Sequence, residues 1–291
     1  MRVTQTYMME RAAAATSNAQ SQVATASDEV TSGLRVTQPS DDLVGWEEAQ
    51  RASIRSSESS QRGTAITLGL DKLQSADSAL GDINTTLTTA ISLANQMANG
   101  TLNATQRASA AQQVQTLHDQ VLASANTLGS DGKPVFSGSQ SGTPFSSSDV
   151  YSGDSVAQTI EVSEGHSQTV GVSGAVLTSA NGVNVLGTLT ALATALASND
   201  TAGISQSITD LTTAQQQVSS AQADIGSQES ALNAANDARS AFETQLTTLQ
   251  TNAVGADTVT AASALAQAQT GYTAATDVAQ LISQMADKNI T

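Results

Sequence analysis

The chain has 291 residues and a formal net charge of −15, from 26 acidic residues against 11 Lys and Arg. So acidic a polypeptide repels nucleic-acid backbones and anionic lipid, which argues against either as a partner and against membrane insertion. It has no cysteine, hence no disulfide framework and no thiolate metal site, and no apolar run approaches the ~20 residues of a membrane span.

The length allows about one to three domains. Only 2% of residues are aromatic, and Ala, Leu and Val carry most of the apolar content. Such side chains fill a globular core poorly and suit closely spaced helices. Proline stands only at Pro39, Pro134 and Pro144, so long helices are allowed elsewhere. Charge is uneven: residues 1–62 hold six basic residues against eight acids, and residues 140–291 hold two against thirteen. The first thirty residues lack the basic-then-apolar layout of a cleaved secretory signal.

A first helix is expected from about Thr4 to Gly33, with Val23, Ala26, Val30 and Leu34 in a four-and-three rhythm and Val3, Tyr7, Ala15 and Ala19 upstream. Arg35 to Pro39 reads as a connector. Ser40, Asp41 and Asp42 then form a helix start, with side-chain oxygens able to cap and acids placed well against the dipole. From Leu43 a long helix follows, its register plain in Leu80, Ile83, Leu87, Ala90, Ala94 and Met97, and Asn99-Gly100 ends it. Asn103 and Gln106 have capping-box spacing for the next helix, whose seam runs from Ala110 through Val114, Leu117, Val121 and Ala125 to Leu128.

Between Gly129 and Gly174 there are eight glycines and two prolines, with strand-like alternation in Ile160/Val162 and Val170/Val172. These flank Glu164-Gly165, which reads as a hairpin turn. Helix resumes at about Val185, a very long pattern follows in Ile204, Leu211, Val218, Ile225, Leu232 and Leu249, and Val254-Gly255 breaks it. The last segment carries an unbroken seam of Ala261, Leu265, Ala268, Tyr272, Ala275, Ala279, Ile282 and Ala286. A 3.5-residue repeat keeps one apolar edge against a partner helix.

The expected fold is mainly α: a long antiparallel helical bundle or coiled coil from paired N- and C-terminal arms, with a smaller β-rich insert. Residues 1–40 form an N-terminal arm, 41–130 and 184–254 the two parts of a helical core, 131–183 the insert and 255–291 the C-terminal arm. Alanine-rich seams bury little area per residue, so such arms gain stability by accumulation over length or copies.

Candidate chemistry is thin. His118, beside Asp119, reads as a solvated surface pair, and His166 falls in a different element. Asp41-Asp42 and Glu47-Glu48 are explained by a helix start and a polar face before a metal need be invoked. No phosphate loop, HExxH or GxSxG occurs. The sequence offers no catalytic, cofactor or metal site and does not read as an enzyme.

The stretch SGLRVTQPSDDLVG at 32–45 resembles the N-terminal signature of the bacterial flagellin superfamily. GKPVFSGSQSGTPF at 132–145 and ALAQAQTGYTAATDVAQLISQM at 264–285 resemble one branch of it, which stands between hook and filament. The resemblance implies a structural protein of the flagellar axis that joins hook to filament, located outside the cell. It implies export through the flagellar type III apparatus without a cleaved signal, and assembly with copies of itself, a neighbouring hook-associated protein and flagellin. A cytoplasmic chaperone is a further implied partner.

Carried onto this sequence, Pro39, Ser40, Asp41 and Asp42 start the helix that closes the first arm. Val23, Ala26, Val30, Leu34, Leu265, Tyr272, Ile282 and Met285 become packing positions of an inner tube, and Ala268, Ala275 and Ala279 share that seam. Leu43 stands where the family's pattern often continues with proline. Asp287-Lys288-Asn289-Ile290-Thr291 lacks the family's apolar end. Filament flagellin shares the architecture, and Val135-Phe136-Ser137-Gly138 followed by Thr143-Pro144-Phe145 favours the junction branch over it. A coiled-coil signalling or secretion-associated adaptor is the alternative from another class.

Overall fold

The structure, a computed structural model, describes residues 2–156 and 158–288. It is 74% helical. The described residues form six α-helices: α1 (Arg2–Ser32), α2 (Leu43–Met97), α3 (Ala104–Ala125), α4 (Val185–Ala197), α5 (Thr201–Val254) and α6 (Thr258–Lys288). One antiparallel hairpin, β1 (Gln158–Ser163) with β2 (His166–Val170), is the sheet. The fold class is therefore the expected one, helical arms with a small β insert. The side chains of Val3 and Ala286, and all of Asn289, Ile290 and Thr291, lie outside the described residues.

The chain divides into two compact units, Met1–Glu58 with Phe242–Thr291, and Ser59–Ala241. In the first, α1 and α6 pack together. They run antiparallel, since Ala26 shares a groove with Ala264 and Ala268 while Leu34 bridges to Gly255. Gly33 ends α1 in the left-handed region at φ 68°, a conformation glycine adopts without a Cβ penalty. Beyond it the backbone is stitched to the end of α5: Arg35 N–H donates to the Val254 carbonyl at 2.8 Å and Ala256 N–H to the Gly33 carbonyl at 2.9 Å. Val36, Ala49, Ala253 and Val254 form a small buried cluster there, with Trp46 against it.

The second unit holds the larger core. Leu73, Leu80, Ile83 and Leu87 of α2 share it with Val114 and Val121 of α3, Leu189 and Leu192 of α4, and Leu211, Val218 and Ile225 of α5. The apolar 3–4 spacing in each helix supplies a stripe that only burial satisfies. Polar side chains fix the meeting of α2 with α5: Gln215 donates to Asn84 at 3.1 Å and to Thr88 at 2.9 Å, and Gln222 donates to Asp77 at 3.2 Å. The capping box is made as its spacing predicts, with Gln106 N–H on the Asn103 side chain at 2.9 Å and Asn103 N–H on the Gln106 side chain at 3.0 Å.

Three local expectations change. The α3 helix stops at Ala125, and Leu128 is exposed and bridges Pro134, because the Asn126 side chain turns away to bind both backbone groups of Phe145. The Glu164-Gly165 turn forms with Gly165 at φ 72°, yet Val172 lies beyond β2. Most of the Gly- and Ser-rich insert is loop rather than strand, held by side-chain grips. The Tyr151 hydroxyl contacts the carbonyls of Phe136 and Asp154 at 3.0 and 2.8 Å, and Asp154 accepts from the Ser139 and Val156 N–H groups.

Candidate functional site

The helix-start segment works as a joint. After the connector, Asp42 caps α2: its carboxylate accepts Gly45 N–H at 3.1 Å and its carbonyl accepts Trp46 N–H at 2.9 Å. Asp41 instead closes the preceding turn, accepting Thr37 N–H at 3.0 Å and Gln38 N–H at 3.1 Å. Pro39 and Ser40 are exposed in that turn. Thr37 N–H first, then Gln38, holds the Asp41 carboxyl below the usual aspartate range. Gly45 N–H first, then the Arg35 guanidinium, does the same for Asp42. Arg35 donates from one nitrogen to Asp42 at 3.2 Å and to the Ala253 carbonyl at 3.3 Å, so it spans two segments far apart in sequence. In the sequence it stands only in a connector. A lone Arg before a Pro-containing turn carries no signal of its distant acceptor.

The seam positions of the two arms are only partly covered. On α1, Ala26 is buried, Ala19 and Val23 are half-buried, and Tyr7, Ala15 and Val30 are exposed, as is Leu34 in the connector. On α6, Ala261 is buried while Leu265, Ala268, Tyr272, Ala275, Ala279 and Ile282 are half-buried, and Met285 is 55% exposed. A groove of about 460 Å3 runs beside Ala26, Thr25 and Glu29 of α1 and Ala264, Gln267 and Ala268 of α6. Further apolar side chains in the same unit stand open: Tyr7, Met8, Leu43, Leu281, Val44 at 72% and Val259 at 77%. Val44 and Val259 carried no seam signal, because each sits in the first turn of its helix rather than within a repeat.

His118 and His166 are not brought together. His118 is not the solvated pair expected from sequence: its side chain is 15% exposed and bridges Asp119 at 3.2 Å and Asp149 at 2.8 Å, and Asp149 also accepts from Thr190 at 3.2 Å. The partner that buries it comes from a loop 31 residues away, invisible to local reading. Among the described residues no group of three or more His, Asp or Glu side chains is placed to hold a metal ion.

Residues 3–141 match the bacterial flagellin N-terminal helical region. Flagellar hook-associated protein 3 of Salmonella typhimurium is 29% identical over 177 residues, which is 60% of this chain and 56% of that protein. Its Escherichia coli namesake is 31% identical over 147 residues, 50% of this chain and 46% of that protein. The matches thus span about half the length of these curated relatives. Among solved structures, a protein of Vibrio parahaemolyticus described as a flagellar hook-associated protein has TM-score 0.69 at 20% identity, covering 74% of this chain and all of that one. The flagellar junction protein FlgL of Legionella pneumophila has TM-score 0.56 at 15% identity, covering 72% of this chain and all of that one. At such identities these two share the fold.

Proposed function

We propose that this chain, a flagellin-superfamily protein similar to flagellar hook-associated protein 3, is a structural subunit joining hook to filament. Its mechanism is assembly, with no catalytic turnover. The arms α1 and α6 pack against the arms of neighbouring copies, and Val23, Ala26, Val30, Leu34, Leu265, Ala268, Tyr272, Ala275, Ala279, Ile282 and Met285 line those contacts. The Pro39–Asp42 joint fixes where the arm ends and α2 begins.

One observation carries this reading: in the single chain the paired arms leave their seam half-covered and Val44, Val259, Tyr7 and Met285 exposed. Burial returns roughly 25 cal/mol per Å2 of apolar area, so copies ranged side by side recover what one pair cannot. Neighbouring hook-associated protein and flagellin are the further partners at the two faces of such a ring. The subunit reaches the cell exterior through the flagellar export apparatus, escorted by a cytoplasmic chaperone and without a cleaved signal.

Deletion of the gene, followed by electron microscopy of cells and medium, tests the proposal. Hooks without filaments, with flagellin shed into the medium, support it. Absence of the filament subunit itself, with junction proteins still on the hook tips, would make this chain flagellin. Normal flagella would reject the junction role.

A further inference from the structure

Within the Ser59–Ala241 unit, α2, the β1–β2 hairpin and the Ser130-Asp131 turn line a half-open cavity of about 220 Å3. Leu68, Gly69, Ile160 and Val170 form an apolar wall, and Lys72 and Gln158 form a polar end. Lys72 is half-buried. Among the described residues no carboxylate lies within ion-pairing distance of it, and its ammonium donates instead to the Gln158 amide oxygen at 2.6 Å. Asp131, on the rim, is engaged within its own turn by Lys133 N–H at 3.0 Å. The charges of Asp131 and Lys133 act on Lys72 in opposite senses. Burial is the largest influence and holds the lysine below its usual range.

A concave apolar wall ending in one cation and one amide is the ordinary composition of a small-molecule site. Its volume equals roughly seven waters at ~30 Å3 each, room for a short branched chain of about four to six carbons. A compact dianion such as phosphate fits poorly, since one cation would face two charges against hydrocarbon.

We propose that this cavity binds a short aliphatic carboxylate, its carboxylate pairing with the Lys72 ammonium and its hydrocarbon lying on Leu68, Ile160 and Val170. The site is independent of the junction role and stands or falls without it. Because the pair needs an ionised carboxylate and a protonated amine, affinity is greatest between the carboxylate range and the lowered pKa of Lys72, and falls on either side.

The test is an NMR titration of the isotope-labelled full chain with isovalerate, isoamyl alcohol and inorganic phosphate at neutral pH. Isovalerate is expected to shift amides around 68–72, 158–160 and 168–171 saturably. The alcohol, with the same skeleton and no charge, should bind about tenfold more weakly or worse, because a charge-assisted contact is lost. Phosphate should leave those amides unmoved. Lys72→Met should weaken isovalerate about tenfold or more, while Lys133→Gln, outside the lining, changes it less than about twofold. If Lys72→Met proves unfolded, Gly69→Ala serves instead, since the added methyl would stand 3.0 Å from Ile160 Cδ1 and narrow the cavity. Absence of saturation, equal binding of the alcohol, or unchanged affinity in the folded Lys72→Met protein would overturn the site. A response to phosphate as strong as to isovalerate would overturn the assigned ligand class.

Discussion

Arg35 and Asp42 meet at 3.2 Å, and the guanidinium nitrogen that makes this contact also donates to the Ala253 carbonyl at 3.3 Å. One side chain thus ties the residues following α1 to the first turn of α2 and the last turn of α5. Both partners are substantially exposed, at 49% and 34%, so the pair contributes geometry more than stability. Arg35→Gln is expected to leave the global melting temperature nearly unchanged. Amide exchange at Gly45, Trp46 and residues 253–256 should quicken, as read by hydrogen-exchange mass spectrometry. Unchanged protection there would show that the backbone pairing of Arg35 with Val254 suffices alone.

Asp154 is expected to make the loop insert acid-sensitive. The Ser139 hydroxyl first, then the N–H groups of Ser139 and Val156 and the Gln140 amide, lower its carboxyl to about 2 from an ordinary 3.8. A depressed carboxyl stabilises the fold above its unfolded value, and that contribution is lost as pH falls through the folded one. The insert should therefore hold its structure above about pH 4 and loosen toward about pH 2. Asp154→Asn should remove this acid-sensitive step, which NMR of the Ser139 and Val156 amides would follow.

Arg107 is a buried cation whose partners are mostly backbone. At 4% exposure it donates to the carbonyls of Met97 at 2.8 Å and Asn99 at 2.9 Å, and also to the Asn199 side chain. Those carbonyls close α2, so the guanidinium also sits at the negative end of a helix. Arg107→Met would strand buried acceptors that cost about 1–3 kcal/mol each, and a loss of roughly 2 kcal/mol or more is expected in urea unfolding. In the same core, Leu189→Ala should cost about 2–5 kcal/mol by leaving a cavity. Values near zero for either would contradict the packing described.

The helices were legible because their apolar spacing is local: the α2 register through Leu80, Ile83 and Leu87, the Asn103–Gln106 box and the Val254-Gly255 break all lie within a few residues. The Glu164-Gly165 turn was legible for the same reason. Contacts that span long separations were not. Arg35 meets Ala253 across 218 residues, Arg107 meets Asn199 across 92, and His118 meets Asp149 across 31. Glycine and serine accompany loops as readily as strand turns, and among the described residues of the insert the strands lie only between Gln158 and Val170, with an isolated bridge joining Phe145 and Tyr151. The two units divide within α2 and α5, where uninterrupted helix offers no change of composition to read.

Complementation of a gene-deleted strain with seam variants tests the assembly proposed for the arms. Leu265→Asp with Ile282→Asp, and separately removal of residues 1–30 or 260–291, should each give a soluble protein. Its Ser59–Ala241 unit should remain folded, while electron micrographs show bare hook tips without filaments. Normal hook–filament junctions in cells carrying only the truncated chains would contradict assembly through the terminal helices.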